Sequence, residues 1–354
     1  MANQLHTEAI ALLKELISIP SFSKEEHGTA GSITKFLGIR GIEHFRIGNN
    51  VFAKNKHYDS SKPTILLNSH HDTVRPNSGY TLDPFTPLEK DGKLFGLGSN
   101  DAGGSLVSLI VTFLAYFDKP GLKYNIIIAA TAEEEISGHN GIEKILPELG
   151  NISFAVVGEP TKMQMAIAEK GLLVLDCIAG GKAGHAARNE GENAIYKAMK
   201  DIEWFSTYKF PKDSVLLGPV KMSITVINTD NKAHNVVPSQ CNFVADIRVN
   251  ELYDFEELLA EIRKNVQSEI KPRSLRMRSS LIPESHLLVQ AGLNLGRTYY
   301  GSPTTSDKAL MPFPALKIGP GDSARSHTAD EFIYIDEIKV GTEFYVELLK
   351  KLVK

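Results

Sequence analysis

The amino-acid sequence predicts an α/β protein: a mostly parallel sheet flanked by helices, with a smaller α+β domain inserted into it. Three observations carry this. Short apolar segments rich in β-branched residues recur at 64–67, 125–131, 154–157 and 315–318, as expected of strands buried on both faces. Between the first two, Leu106, Leu109, Ile110, Phe113 and Leu114 recur at helical spacing and predict a helix over 102–117; such alternation points to crossover helices on a parallel sheet. From about 170 to 280 the texture changes. Predicted strands at 171–178, 221–227 and 242–249, with helices at 192–206 and 254–268, describe an antiparallel sheet with its own helices.

The elements follow in order along the chain. Leu5, Ile10, Leu13 and Ile17, interspersed with charges, form an amphipathic N-terminal helix and not a signal peptide. The strand and helix texture resumes after 280, and an amphipathic helix runs on from Asp336. The catalytic domain is therefore expected to comprise residues 1–169 and 281–354, and the inserted domain residues 170–280.

The 354 residues, 42% hydrophobic and 23% charged, suffice for two folded domains. Lys and Arg total 39 against 42 Asp and Glu, so no positive field exists to hold nucleic acid or an anionic membrane, and the expected partner is a small molecule. Apolar runs such as 126–130 are too short to span a bilayer. Cys177 and Cys241 lie in strand-like surroundings with no metal or redox spacing, which suits two buried thiols in a reducing cytoplasm.

The chemistry is expected where the strands end. His70 and Asp72, the run Glu133-Glu134-Glu135, Glu159 and His327 each sit in a polar cluster after a predicted strand, and Asp101 opens the long helix. Ligands of open α/β sheets bind outside the carboxyl ends of the strands, so these residues can converge despite their separation in sequence. One carboxylate in such a place is commonly a helix cap. So many in one crevice would repel each other without cations. Two imidazoles and several carboxylates suit zinc, and a shared carboxylate can bridge two ions about 3.5 Å apart. A pair of zinc ions, with cobalt as a possible substitute, is the expected cofactor.

In order, Ser69-His70-His71-Asp72-Thr73-Val74, Gly96 to Asp101, Glu133-Glu134-Glu135, Gly158-Glu159-Pro160-Thr161, and Ser326-His327 with Glu331 form a set of five motifs. The set resembles the co-catalytic zinc deacylases and exopeptidases that include acetylornithine deacetylase and succinyl-diaminopimelate desuccinylase. That resemblance implies a zinc exopeptidase-like catalytic domain and a ferredoxin-like lid that forms a homodimer. By analogy, His70 and Glu159 hold one zinc, Glu135 and His327 the other, Asp101 bridges them, Asp72 orients His70, and Glu134 is the general base. Gly184-His185-Ala186 and Gly191-Glu192-Asn193-Ala194 look like the family's lid signature, in which the lid His binds the oxyanion, often across a dimer interface. Asn235 and Arg248 match lid positions that contact substrate, Arg248 with a guanidinium suited to an α-carboxylate. One departure stands out: after Asp101 the family has a basic residue before a glycine, and this chain has Ala102-Gly103-Gly104.

The length, the single carboxylate-binding Arg and the Gly319-Pro320-Gly321 loop look closest to the acetylornithine deacetylase branch, with an N-acyl amino acid such as acetylornithine or an acyl-citrulline of arginine biosynthesis as substrate. The alternatives are a succinyl-diaminopimelate desuccinylase, with Lys170, Arg188 or Arg325 receiving the succinyl carboxylate, or a dipeptidase of the same family. From a different class, a non-catalytic binding protein of the same fold would lack ligands or the base. All six positions are present.

Overall fold

Three apolar strands, Thr64–His70, Asn125–Thr131 and Ala315–Lys317, are buried along their whole length, and with Ile152–Val157 they form the parallel centre of a large sheet. The computed structural model describes residues 2–188 and 190–354. Across the sheet the strands lie in the order His44–Ile47, Asn50–Lys54, Asn125–Thr131, Thr64–His70, Ile152–Val157, Ala315–Lys317, Met165–Glu169. The sheet is thus mixed: parallel at its centre, antiparallel at both flanks. The flanking hairpin 44–54 and the strand Met165–Glu169 went unread in the sequence because short or isolated apolar runs carry little periodicity.

One face of the sheet packs against Ile142–Leu149, whose Ile142, Ile145 and Leu149 join Phe52, Leu66, Ile127 and Ala155 in a common core. Helix Gly104–Phe117 is buried nearly throughout and contacts the sheet, Ala2–Ile17 and Ile335–Val353. Counted with the preceding turn, Ser99–Phe117 is long and apolar enough to cross a bilayer, so the expectation that every apolar run is too short needs correcting. Because 78% of that window is buried within the protein, its apolarity has an ordinary cause: a helix packed on all sides has no polar face.

The chain divides into two compact units. The first comprises residues up to Ile167, Ile282–Tyr300 and Ser306–Lys354; the second comprises Ala168–Leu281 and Gly301–Thr305. The short segment 301–305, assigned by sequence to the catalytic domain, belongs with the second unit. There Thr305 Oγ1 donates to Lys170 O and Lys170 N donates to Ser302 O, contacts no local pattern announces.

In the second unit, strands Gly171–Gly180, Lys221–Thr229, Gln240–Val249 and Glu269–Pro272 alternate with helices Ala194–Thr207 and Phe255–Asn265 as β-α-β-β-α-β, the ferredoxin-like arrangement. All pairings are antiparallel, in the order Lys221–Thr229, Gln240–Val249, Gly171–Gly180, Glu269–Pro272. Burial alternates residue by residue along the two central strands, so Leu173, Leu175, Phe243, Ala245 and Ile247 face the helices. Helix Phe255–Asn265 starts with a capping box, Asp254 accepting from Glu257 N and the Glu257 carboxylate from Asp254 N. Cys177 and Cys241 are both free and buried in this core.

Candidate metal centre

The parallel strands all end on one side, and that is where the first unit gathers its polar residues. His70 is the last residue of its strand, in register with Thr131; the acidic turn follows Thr131, and Glu159 lies two residues beyond Val157. Asp101 is brought there by a π-type turn, Ser99–Gly103, closed by Gly103 N donating to Gly98 O. Gly98 takes the left-handed conformation (φ 76°), and a Cβ there would lie 2.6 Å from Thr73 Cγ2. The departure Ala102-Gly103-Gly104 has a packing reason. A Cβ on Gly103 would run into the Gly98 carbonyl and Leu13, and one on Gly104 into Ile333, so both must be small for the helix to start beside the site. The Asp101–Ala102 peptide bond is cis.

Two groups of donors result, each with its ligand atoms within 4.8 Å of one another: His70, Asp101 and Glu159, and Asp101, Glu135 and His327. Asp101 belongs to both. Its Oδ1 lies 3.3 Å from His70 Nε2, and its Oδ2 lies 3.7 Å from His327 Nε2. His70 Nε2 is 3.8 Å from Glu159 Oε1, and His327 Nε2 is 2.9 Å from Glu135 Oε2. Glu134 belongs to neither group, yet its carboxylate is 3.9 Å from His70 Nε2. Buried carboxylates set round two imidazoles, with one acid common to both groups, fit two cations held about one bridging carboxylate.

The electrostatics agree. Burial pushes Glu134 well above the ordinary carboxyl range, opposed by His70 and reinforced by Glu159 and Glu135. Glu135 is raised by burial also, with His327 opposing. Burial acts to lower His70, but Glu134, Asp101, Asp72 and Glu159 outweigh it and raise the ring well above its usual value. His327, bonded to Glu135, is raised to about 9. These are the shifts of a negative cluster awaiting positive charge.

Asp72 does more than orient His70. The His70 Nδ1 atom is 3.0 Å from the Asp72 backbone carbonyl and 3.4 Å from its Oδ1, while the carboxylate also accepts from Glu134 N at 3.1 Å, Glu135 N at 3.2 Å and Ser23 Oγ at 2.7 Å. One buried acid thus fixes a metal-side imidazole and the backbone of the acidic turn together. Glu133 turns away from the site: it is left-handed (φ 56°), and its carboxylate accepts from Asn140 N and Nδ2. His71 also faces away, with Nδ1 2.9 Å from Thr29 Oγ1 and Nε2 2.9 Å from Asn49 O; burial lowers it to about 4.

Two acids escaped the sequence reading in the roles they hold. Glu331, noted only as the acid after the Ser-His motif, accepts from Asn100 N at 2.8 Å and Asp101 N at 3.0 Å, fixing the backbone of the shared ligand; burial and Asp101 raise it to about 8. Asp307, buried beneath the strand ends, accepts from Thr131 Oγ1 at 2.7 Å and is raised to about 6, chiefly by burial. Nothing local to Ser306-Asp307-Lys308 signals this. The signal is a buried acid on a turn far away in sequence.

In the second unit His185 and Asn235 come together: His185 is in register with Val236, Ala186 N donates to Asn235 O at 2.9 Å, and His185 Nδ1 accepts from Ala187 N. The Arg248 guanidinium is engaged two residues away, Nε donating to Asp246 Oδ1 at 2.8 Å and Nη2 to Oδ2 at 3.0 Å.

An α/β unit presenting two linked metal-ligand groups, with a partly buried carboxylate beside them in neither, defines a metal-dependent hydrolase. The profile of Peptidase family M20/M25/M40 matches residues 66–351, and the chain belongs to that family. It is 26% identical over 378 residues, 97% of this chain and 93% of the relative, to the succinyl-diaminopimelate desuccinylase of Wolbachia pipientis. Its fold matches a tripeptidase from Staphylococcus aureus (TM-score 0.80, 18% identity, 98% of each chain) and a dinuclear metal-binding peptidase of the M20 family from Bacillus subtilis (TM-score 0.72, 17% identity, 98% of each chain). The full-length desuccinylase likeness does not support the expected acetylornithine deacetylase branch, nor a place in arginine biosynthesis.

Metal entry requires neutral imidazoles. His327 is raised to about 9 by its bond to Glu135, so at neutral pH an entering metal must displace its proton. Affinity for Zn²⁺ should therefore rise with pH up to about 9 and weaken as pH falls below it. Calorimetric titration of metal-stripped protein, in buffers of different protonation enthalpy, should show proton release at pH 7; binding with no release and no pH dependence would contradict the assignment.

Proposed function

We propose that this chain hydrolyses the amide bond of an N-acyl diamino acid, that the acyl group is succinyl, and that two zinc ions serve the reaction. The observation that carries the proposal is Asp101 shared between two ligand groups with Glu134 beside them in neither. The first zinc takes His70, Asp101 and Glu159, the second Asp101, Glu135 and His327, with Co²⁺ a workable substitute. When bound, the ions supply Lewis-acid polarisation of the amide carbonyl and acidify water at neutral pH. Glu134 takes a proton from the attacking water and returns it to the leaving nitrogen, and burial raises its carboxyl above the ordinary range. Asp72 holds Glu134 through its backbone N–H, so the base keeps its position during the transfer. His185, with Asn235 beside it, donates to the developing oxyanion.

The succinyl reading is supported by the full-length likeness to succinyl-diaminopimelate desuccinylases. A second carboxylate on the substrate calls for a cation. Lys170 Nζ donates to Pro219 O, Arg325 is gripped by Glu337 and Arg248 by Asp246, whereas Arg188 is 69% exposed and only 3.7 Å from Glu190, which leaves it most available. A panel of N-succinyl and N-acetyl derivatives of diaminopimelate, ornithine, citrulline and lysine should give the highest kcat/KM for a succinyl compound, with Arg188→Ala eroding that preference. An acetyl derivative turned over faster than every succinyl one would return the assignment to a deacetylase.

The base is tested separately from the ligands. Glu134→Gln should keep two metal ions per chain and lose at least ~10²-fold in kcat, whereas Glu135→Gln should lose metal. Near-normal turnover in Glu134→Gln would remove it from the mechanism.

We infer also that the working form is a homodimer joined through the second unit. Strand Lys221–Thr229 lies at the edge of its sheet and exposes Val226 and Ile227, and Tyr196 and Met199 stand exposed on the helix beside it. An apolar sheet edge of this kind suits a second copy. If His185 serves the partner's site, refolding a mixture of inactive His185→Ala and Glu134→Ala should restore about a quarter of wild-type activity: half the dimers are mixed, each with one intact site. A mixture that stays inactive while wild type recovers would place His185 in its own subunit's site.

A further inference from the structure

The two ligand groups are built on unlike supports. His70 is the buried end of a central strand, and Glu159 follows another. His327 instead lies on a loop, in the left-handed conformation (φ 61°), with its side chain 54% exposed. A solvated, non-glycine residue held at positive φ needs outside support. The support comes from residues 77–82.

Side-chain hydrogen bonds join these segments. Asn77 Nδ2 donates to the His327 backbone carbonyl at 3.2 Å. Asp330, also left-handed (φ 52°), accepts from Thr81 N at 2.8 Å, Leu82 N at 2.9 Å and Thr81 Oγ1 at 2.5 Å. The Asn77 side chain is itself held, its Oδ1 accepting from Gly79 N at 2.9 Å. One residue further on, Glu331 leaves the loop for the interior and fixes Asn100 N and Asp101 N, while its own carbonyl accepts from Gly96 N. The segment 327–331 is therefore pinned at its buried end by Glu331 and at its solvent side by Asn77 and Asp330.

We propose that Asp330 and Asn77 are positioning residues for the second metal: they hold the His327 loop in the conformation that presents the imidazole to Glu135 and Asp101. Neither touches a ligand atom. Asp330 organises the loop 77–82 through two backbone amides and a hydroxyl, charge-assisted bonds stronger than neutral ones, and Asn77 on that loop grips the His327 carbonyl. Without the clasp, His327 must be ordered at the moment the ion binds, and that ordering is subtracted from affinity. The group His70, Asp101 and Glu159 does not use this loop, so its affinity should be spared.

The inference rests on the two-metal reading above, and one titration separates the two. Metal-stripped wild type titrated with Co²⁺, followed by visible absorption and by competition with a chromophoric chelator, should take up two ions; uptake of fewer refutes the two-metal reading itself. Given two ions in wild type, Asp330→Ala should keep the first at unchanged affinity and bind the second at least ~10-fold more weakly, with altered Co²⁺ absorption for that ion only. Asp330→Asn, which can still accept from the Thr81 and Leu82 amides, should recover part of the loss. Asn77→Ala should weaken the same ion without touching the Asp330 contacts, and it carries the test if Asp330→Ala fails to fold. Two ions bound as in wild type by a folded Asp330→Ala or by Asn77→Ala, or equal weakening of both ions, would overturn the proposal.

Discussion

The mutual repulsion of buried carboxylates at the strand ends is the constraint on which this structure turns. Asp101, Glu134, Glu135 and Glu159 are crowded into one crevice with two imidazoles, and burial pushes Glu134 and Glu135 toward their neutral forms. Such an arrangement persists only if the surroundings hold each group in place. Here the holding is done by other acids acting as acceptors: Asp72 fixes the acidic turn and His70, and Glu331 fixes the backbone of Asp101. The inner ring of carboxylates supplies the candidate ligand groups, and the outer ring accepts from backbone amides. Charge reversal at an outer position would therefore act on the inner ring without any direct contact.

Much of this was legible in the sequence, for a topological reason. Parallel strands start and finish on common sides, so polar residues following apolar runs must meet, whatever their separation along the chain. His70, Glu134, Glu135, Glu159 and His327 could be grouped on that basis, and Asp101 joined them at the start of the long helix. What stayed hidden depends on conformation or on distant partners. Glu133 reads like its two neighbours, and only its left-handed backbone directs it to Asn140. Asp72 reads as the partner of a ring nitrogen, yet its carboxylate spends most of its bonds on the turn. Asp307 reaches the site across more than a hundred residues, through a hydroxyl on Thr131. The segment 301–305 changes units without a change in composition.

The substituted turn after Asp101 shows how a departure in sequence can leave chemistry in place. Ala102-Gly103-Gly104 allows the close approach of the helix start to Leu13, Gly98 and Ile333. Arg248, read from sequence as a carboxylate clamp, has its guanidinium paired with Asp246.

The order of segments along the chain also bears on when this protein becomes chemically competent. His70, Asp101, Glu135 and Glu159 all precede the second unit, whereas His327 and Glu331 follow it, in the last stretch of the first unit. On a ribosome, the early part of the site would emerge and then wait while the second unit is made and folds. During that interval the nascent chain holds a partial ligand set with no partner for Glu135 and no clamp on Asp101. A chain interrupted before residue 327 would therefore lack the second ligand group, which needs His327 beside Asp101 and Glu135.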